Sequence, residues 1–89
     1  MKTADEARAN GYEVVTVTND SDETLQVIVE PWATGTALLP RQSCELWLKH
    51  DANYPPTVGY SRSATHPYIT FEAVSHAIWE DGKMVVNLL

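Results

Sequence analysis

Tyr12-Glu13-Val14-Val15-Thr16-Val17-Thr18, then Asn19-Asp20-Ser21-Asp22-Glu23, then Thr24-Leu25-Gln26-Val27-Ile28-Val29-Glu30: two alternating runs flank a polar link. Side chains on an extended chain point to opposite faces with a period of two, so such runs hide their apolar half most cheaply as strands. Val15 and Val17 share one face of the first run, and Val14 shares the other with Thr16 and Thr18. In the second, Leu25, Val27 and Val29 fall inward, with Gln26, Ile28 and Glu30 outward. The link of turn-forming residues predicts that the two runs fold back on each other as a hairpin. Pro31, which cannot donate to a ladder, closes the second.

The same reading extends along the chain. Thr34-Gly35-Thr36 reads as a turn, and Ala37-Leu38-Leu39 as a short extended piece ended by Pro40. Ser43–Lys49 has the clearest alternation: Cys44, Leu46 and Leu48 on one face, Glu45, Trp47 and Lys49 on the other. The loop from Asp51 to Pro67 is long enough to hide a short strand near Thr57–Ser61. Tyr68–Val74 alternates again, with Ile69, Phe71 and Ala73 together. Asp81-Gly82 signals a two-residue hairpin, which pairs Glu80 with Lys83, Trp79 with Met84, Ile78 with Val85 and Ala77 with Val86. Residues 1–11 form an N-terminal arm. Thr3 and Glu6 have capping-box spacing, but the segment is too short to hold a helix alone, so a frayed helix or disorder is expected. Residues 12–89 then make one all-β domain, an antiparallel sandwich of about seven short strands.

Composition narrows the function. The chain has 89 residues, 44% of them apolar, with twelve acidic and six basic residues and a net charge of −6. An acidic chain with no basic cluster is repelled by phosphate backbones and anionic lipid, so neither nucleic acid nor membrane is an expected partner. No apolar run approaches the roughly 20 residues of a membrane span. No leader-like apolar region follows Met1, and Cys44 has no second cysteine to pair with, so a reducing, cytoplasmic setting is expected. A small domain buries a modest fraction of its surface, which makes a homodimer or another protein partner a natural source of extra burial.

The stretch Val15–Leu25, with Leu38-Leu39-Pro40 and then Ser43–Leu48, resembles the opening of immunoglobulin-like sandwich domains. There, a strand ending in Thr-Asn turns through Ser and Asp into a second strand, and a Leu-x-Pro turn precedes a strand beginning with Ser. The likeness covers about residues 13–49 and lacks the paired-cysteine and tryptophan core of antibody domains. Glu30-Pro31-Trp32 also resembles the Glu-Pro-Trp that follows the second strand in some small bacterial proteins. The resemblance implies an immunoglobulin-like fold and no activity.

Catalytic and metal chemistry find little support. His50, His66, His76, Cys44 and Met84 lack the spacing of known metal motifs, and no phosphate-binding glycine loop occurs. Cys44 reads as a small apolar core residue, and no nucleophile elbow surrounds Ser43. A set such as Ser61, His66 and Asp51 is what any loop of this composition provides. The expectation is a non-catalytic interaction or self-associating module without cofactor or metal. Its interaction residues would be Ile28, Trp47 and Trp32, through an outer apolar face or an open strand edge. The alternative is a binder of a small ligand such as a carbohydrate, using Tyr54, Tyr60, Arg62 and His66 of the aromatic loop.

Overall fold

Ser43–Lys49 does form a strand with Cys44, Leu46 and Leu48 turned into the core, and the rest of the chain is arranged around it. The computed structural model describes residues 1–63 and 65–89. Helix α1 (Ala4–Ala9) precedes β1 (Glu13–Thr18), β2 (Leu25–Glu30), β3 (Thr34–Leu38), β4 (Ser43–Lys49), β5 (Val58–Arg62), β6 (Pro67–Glu72), β7 (Ser75–Glu80) and β8 (Lys83–Leu88). The strands form two four-stranded sheets, ordered β1-β4-β7-β8 and β3-β2-β6-β5. The fold is therefore an all-β, two-sheet sandwich with eight strands rather than about seven. Its first two strands lie in different sheets, whereas the constant-type immunoglobulin order keeps them in one.

That separation overturns the opening hairpin. β1 pairs with β4 and β2 with β3 and β6, so residues 19–24 form an arch between the sheets. The inward faces were read correctly: Val15 and Val17 meet Leu25, Val27 and Val29 across the interior. Asn19 explains the arch. It is 2% exposed, and its amide donates to the Glu23 and Leu38 carbonyls at 2.7 and 2.9 Å. Its Oδ1 accepts from the Ser21 backbone N–H and hydroxyl. A buried amide with all its bonds made fixes one crossing path. At the centre of the second sheet, β2 and β6 run parallel, a pairing that no local turn can produce.

Three further corrections have physical causes. Thr34-Gly35-Thr36 is strand, not turn. The β2 backbone passes so close to Gly35 that a Cβ there would overlap the Val27 carbonyl oxygen and sit 3.2 Å from the Ile28 Cα. The glycine serves close approach rather than reversal. At the β7–β8 hairpin, Asp81 and Gly82 do take positive φ, and the first two pairs are as read. A bulge at Ile78/Trp79 then shifts the register, so Ile78 faces Val86 and Ala77 faces Asn87. Val86 thereby packs on the core and Val85 is left 48% exposed.

The arm is docked. Thr3 caps α1 through the Glu6 N–H at 3.1 Å, and Ala7 is completely buried. Ala7, Tyr12, Trp47 and Ala77 form a second cluster on the outer face of the first sheet, flanked by Val14, Trp79 and Met84. The Tyr12 hydroxyl bonds Ser75, and the Lys49 ammonium lies 5.3 Å from the Tyr12 ring centroid. A six-residue helix is unstable alone, so this apolar floor is what holds it.

The sheets are also staggered. Thr34 bonds His76 at 2.6 Å and Thr36 bonds Glu80, which places β3 across from β7. β8 then extends past the second sheet on one side, and β5 past the first on the other.

Candidate functional site

The residues expected to form an interaction patch do not share a surface. Trp47 is 1% exposed beneath α1, donates its indole N–H to Glu45 at 2.7 Å, and lies 4.9 Å from the Trp79 ring. Ile28 is half-buried on the outer face of the other sheet. Alternation put both outward, but "outward" means opposite sides of the sandwich, and an apolar face around Trp47 and Ile28 does not exist. Trp32 is 46% exposed in the turn after β2, anchored by its indole N–H to the Ala73 carbonyl at 2.8 Å.

The aromatic-loop residues divide similarly. Tyr54 is half-buried in a tight turn closed by Asp51. His66 is half-buried, and its backbone N–H donates to the Ser63 hydroxyl. Tyr60 and Arg62 stand together on one face of β5. Arg62 forms a fork with the Glu23 carboxylate, with one N–O distance of 2.8 Å. Hydrogen bonding to Arg62 lowers the Glu23 pKa and raises that of Arg62.

The unexpected feature is what β5 does with its inward face. Val58 pairs with Phe71, and Tyr60 with Ile69. Residues directly opposite in an antiparallel pair point the same way, and Phe71 and Ile69 belong to the core. Val58 and Tyr60 therefore lie on the core side of their sheet, yet they are 63% and 72% exposed. The gap before them is bounded by β1, the outermost strand of the facing sheet, whose free edge carries unpaired backbone groups. The half-buried Val15 of β1 packs on the same core. Sequence reasoning found Tyr60 but not Val58 or the β1 edge. The alternation of Val58, Tyr60 and Arg62 with Gly59 and Ser61 was visible, but not that nothing covers it.

Other chemistry is sparse. Burial pushes the Cys44 thiol up to about 11, assisted by the charge of Glu80, so it is protonated at neutral pH and unsuited to attack. Among the described residues, no three His, Cys, Asp or Glu side chains converge as metal ligands, and no helix is long and apolar enough to cross a membrane. An open cleft of about 470 Å³ lies between α1 and the β7–β8 turn. Trp79, Glu45, Thr16, Lys2 and Asp81 line it. The Trp79 indole N–H is buried without a partner among the described residues.

His76 is fully buried on the inward face of β7; Nε2 meets Thr34, and Nδ1 has no partner among the described residues. Burial lowers its pKa, so the native state refuses a proton that the unfolded chain accepts. Its contribution is thus complete above the unfolded value of about 6.5 and declines as pH falls toward the lower folded value, by at most about 1.4 kcal/mol per pH unit. Thermal melts at pH 7.5 and 5.5 are expected to show a larger drop for the native chain than for His76→Gln. Equal drops would remove His76 as the cause.

No protein-family model, curated protein or solved structure matches the chain.

Proposed function

We propose that this protein is a non-catalytic docking module that accepts an extended segment as an added strand along β1. The observation that carries the reading is the pair Val58 and Tyr60, core-facing yet exposed, beside an open sheet edge. An incoming strand would satisfy the free β1 backbone groups, and its inward side chains would cover the two residues. Burying them is worth on the order of 1.5–3 kcal/mol each before the cost of association. The likeness to immunoglobulin-like domains over residues 13–49 agrees in architecture, though not in strand order. The protonated, buried Cys44 suits a reducing cytoplasm.

A second reading, a small-ligand site, is favoured by the cleft and its unpartnered Trp79 N–H. One titration separates the two. Synthetic heptapeptides with alternating apolar residues are expected to shift the amide resonances of β1 and β5, and Tyr60→Lys to abolish the shift. Shifts confined to α1 and Trp79 would favour the cleft. No response at β1 to any peptide would overturn strand docking.

A further inference from the structure

We infer that the strand accepted by β1 is β8 of a second copy of this chain, so that copies join head to tail. The inference rests on the strand-docking reading and specifies its partner.

The stagger of the sandwich makes the two ends complementary. At one end the second sheet projects as β5, leaving a strand-wide gap beside β1. At the other the first sheet projects as β8, its outermost strand among the described residues. β8 carries its own inward apolar residues: Val86 faces Ile78, and Leu88 faces His76 while remaining 41% exposed. The surplus strand of one copy thus has the composition that the vacant place in another requires.

Direction and level agree as well. β1 is antiparallel to β4, β4 to β7, and β7 to β8, so β8 runs opposite to β1. A copy set alongside without inversion presents β8 antiparallel to β1, the stronger pairing. Rows across the first sheet run Glu13-Leu48-His76-Leu88 and Val15-Leu46-Ile78-Val86. Continued into the next copy, these rows bring Val86 beside Val15 and Leu88 beside Glu13. In the second sheet, the row of Thr34, which bonds His76, runs through Val29 and Phe71 to Val58. Leu88 of one copy therefore arrives over Val58 of the next. Lys83, the one charge on β8, comes to the end of β1 that leads into Asp20.

A two-fold pairing of β1 with β1 fits poorly, because both β5 projections would claim the same space. A head-to-tail contact instead leaves one free end of each kind, and it grows until it closes as a ring or continues as a filament.

The test uses two variants at exposed positions. V58K/Y60K spoils the accepting end, and L88K spoils the donating end. Circular dichroism confirms that both are folded. By light scattering from micromolar to millimolar concentration, the native chain is expected to pass beyond a dimer, and each variant alone to remain a monomer. An equal mixture is expected to give a one-to-one complex and nothing larger, since L88K keeps an intact β1–β5 end and V58K/Y60K an intact β8. Three results would overturn the inference: a native chain that stays monomeric, one that stops at a dimer, or variants that associate as it does. If the native chain is monomeric while alternating heptapeptides still occupy β1, the partner is wrong and the docking reading stands. If β1 takes neither, both fall.

Discussion

Trp47→Ala is expected to remove about 3–5 kcal/mol of stability, the range for emptying a buried aromatic site. Small domains hold only about 5–15 kcal/mol in total. The loss has identifiable parts. Trp47 is 1% exposed and forms the floor on which Ala7 and Tyr12 rest. Its removal leaves a cavity between α1 and the first sheet, and takes from the Glu45 carboxylate the indole N–H it accepts. α1 has six residues and no other source of stability of comparable size, so it should detach. Urea unfolding gives the total, and hydrogen exchange at residues 4–10 gives the helix. Trp47→Phe keeps most of the volume and should cost about 1–2 kcal/mol, mainly the lost hydrogen bond. A Trp47→Ala loss below about 1 kcal/mol, outside the cavity range, would show that this ring does not hold the helix down. Since Trp47 is interior, any loss of association in its variants reports unfolding and not an interface.

Asn19→Asp, nearly isosteric, is expected to cost about 3 kcal/mol or more at neutral pH, because it sets an uncompensated charge in a buried site. The wild-type amide spends both donors on the Glu23 and Leu38 carbonyls. A carboxylate would turn acceptor against acceptor at both. The damage would spread, since the Asn19 backbone also ties the arch to the β3–β4 connection, accepting from Arg41 at 2.8 Å and donating to Gln42 at 2.9 Å. Burial among carbonyls raises the pKa of the introduced acid, so it takes up its proton on folding before the unfolded chain does. Lowering the pH toward 4 therefore narrows the gap to the native chain, as the proton restores one donor. Denaturant midpoints of both proteins at neutral and mildly acidic pH measure this. A small gap that does not change with pH would mean that the amide's donors do not hold the arch.

These residues also mark how far the sequence could be read. Which side chains face inward was legible in β1, β2, β4 and β6, because a period of two is a local property of the chain. Which strand pairs with which was not. The polar link after Thr18 suits a hairpin as well as an arch, and the choice was made by Asn19 reaching Leu38, nineteen residues away. Trp47 was correctly set opposite Cys44, yet its burial depends on α1. The capping box of α1 could be read, but not its docking place. The bulge at Ile78/Trp79 keeps Asn87 off the core, a demand of packing that the Asp81-Gly82 turn does not announce. Of the candidate site, Tyr60 and Arg62 were visible as recognition-type residues. Val58 drew no notice because an isolated valine is ordinary. It becomes informative only once the facing sheet is seen to end at β1.

The parallel pairing of β2 with β6 has a consequence for how the molecule assembles. The two strands are separated by β3, β4 and β5, so the centre of the second sheet cannot close until about four fifths of the 89 residues are in place. The first sheet waits equally, since β4 is flanked by β1 from one end of the chain and β7 from the other. Only β2–β3, β5–β6 and β7–β8 can zip as neighbours. Loop closure of this reach places folding in the slow, millisecond-to-second regime of all-β topologies. A nascent chain leaving the ribosome would hold β2 with one edge unpaired until β6 emerges, the interval in which premature strand exchange between molecules is easiest.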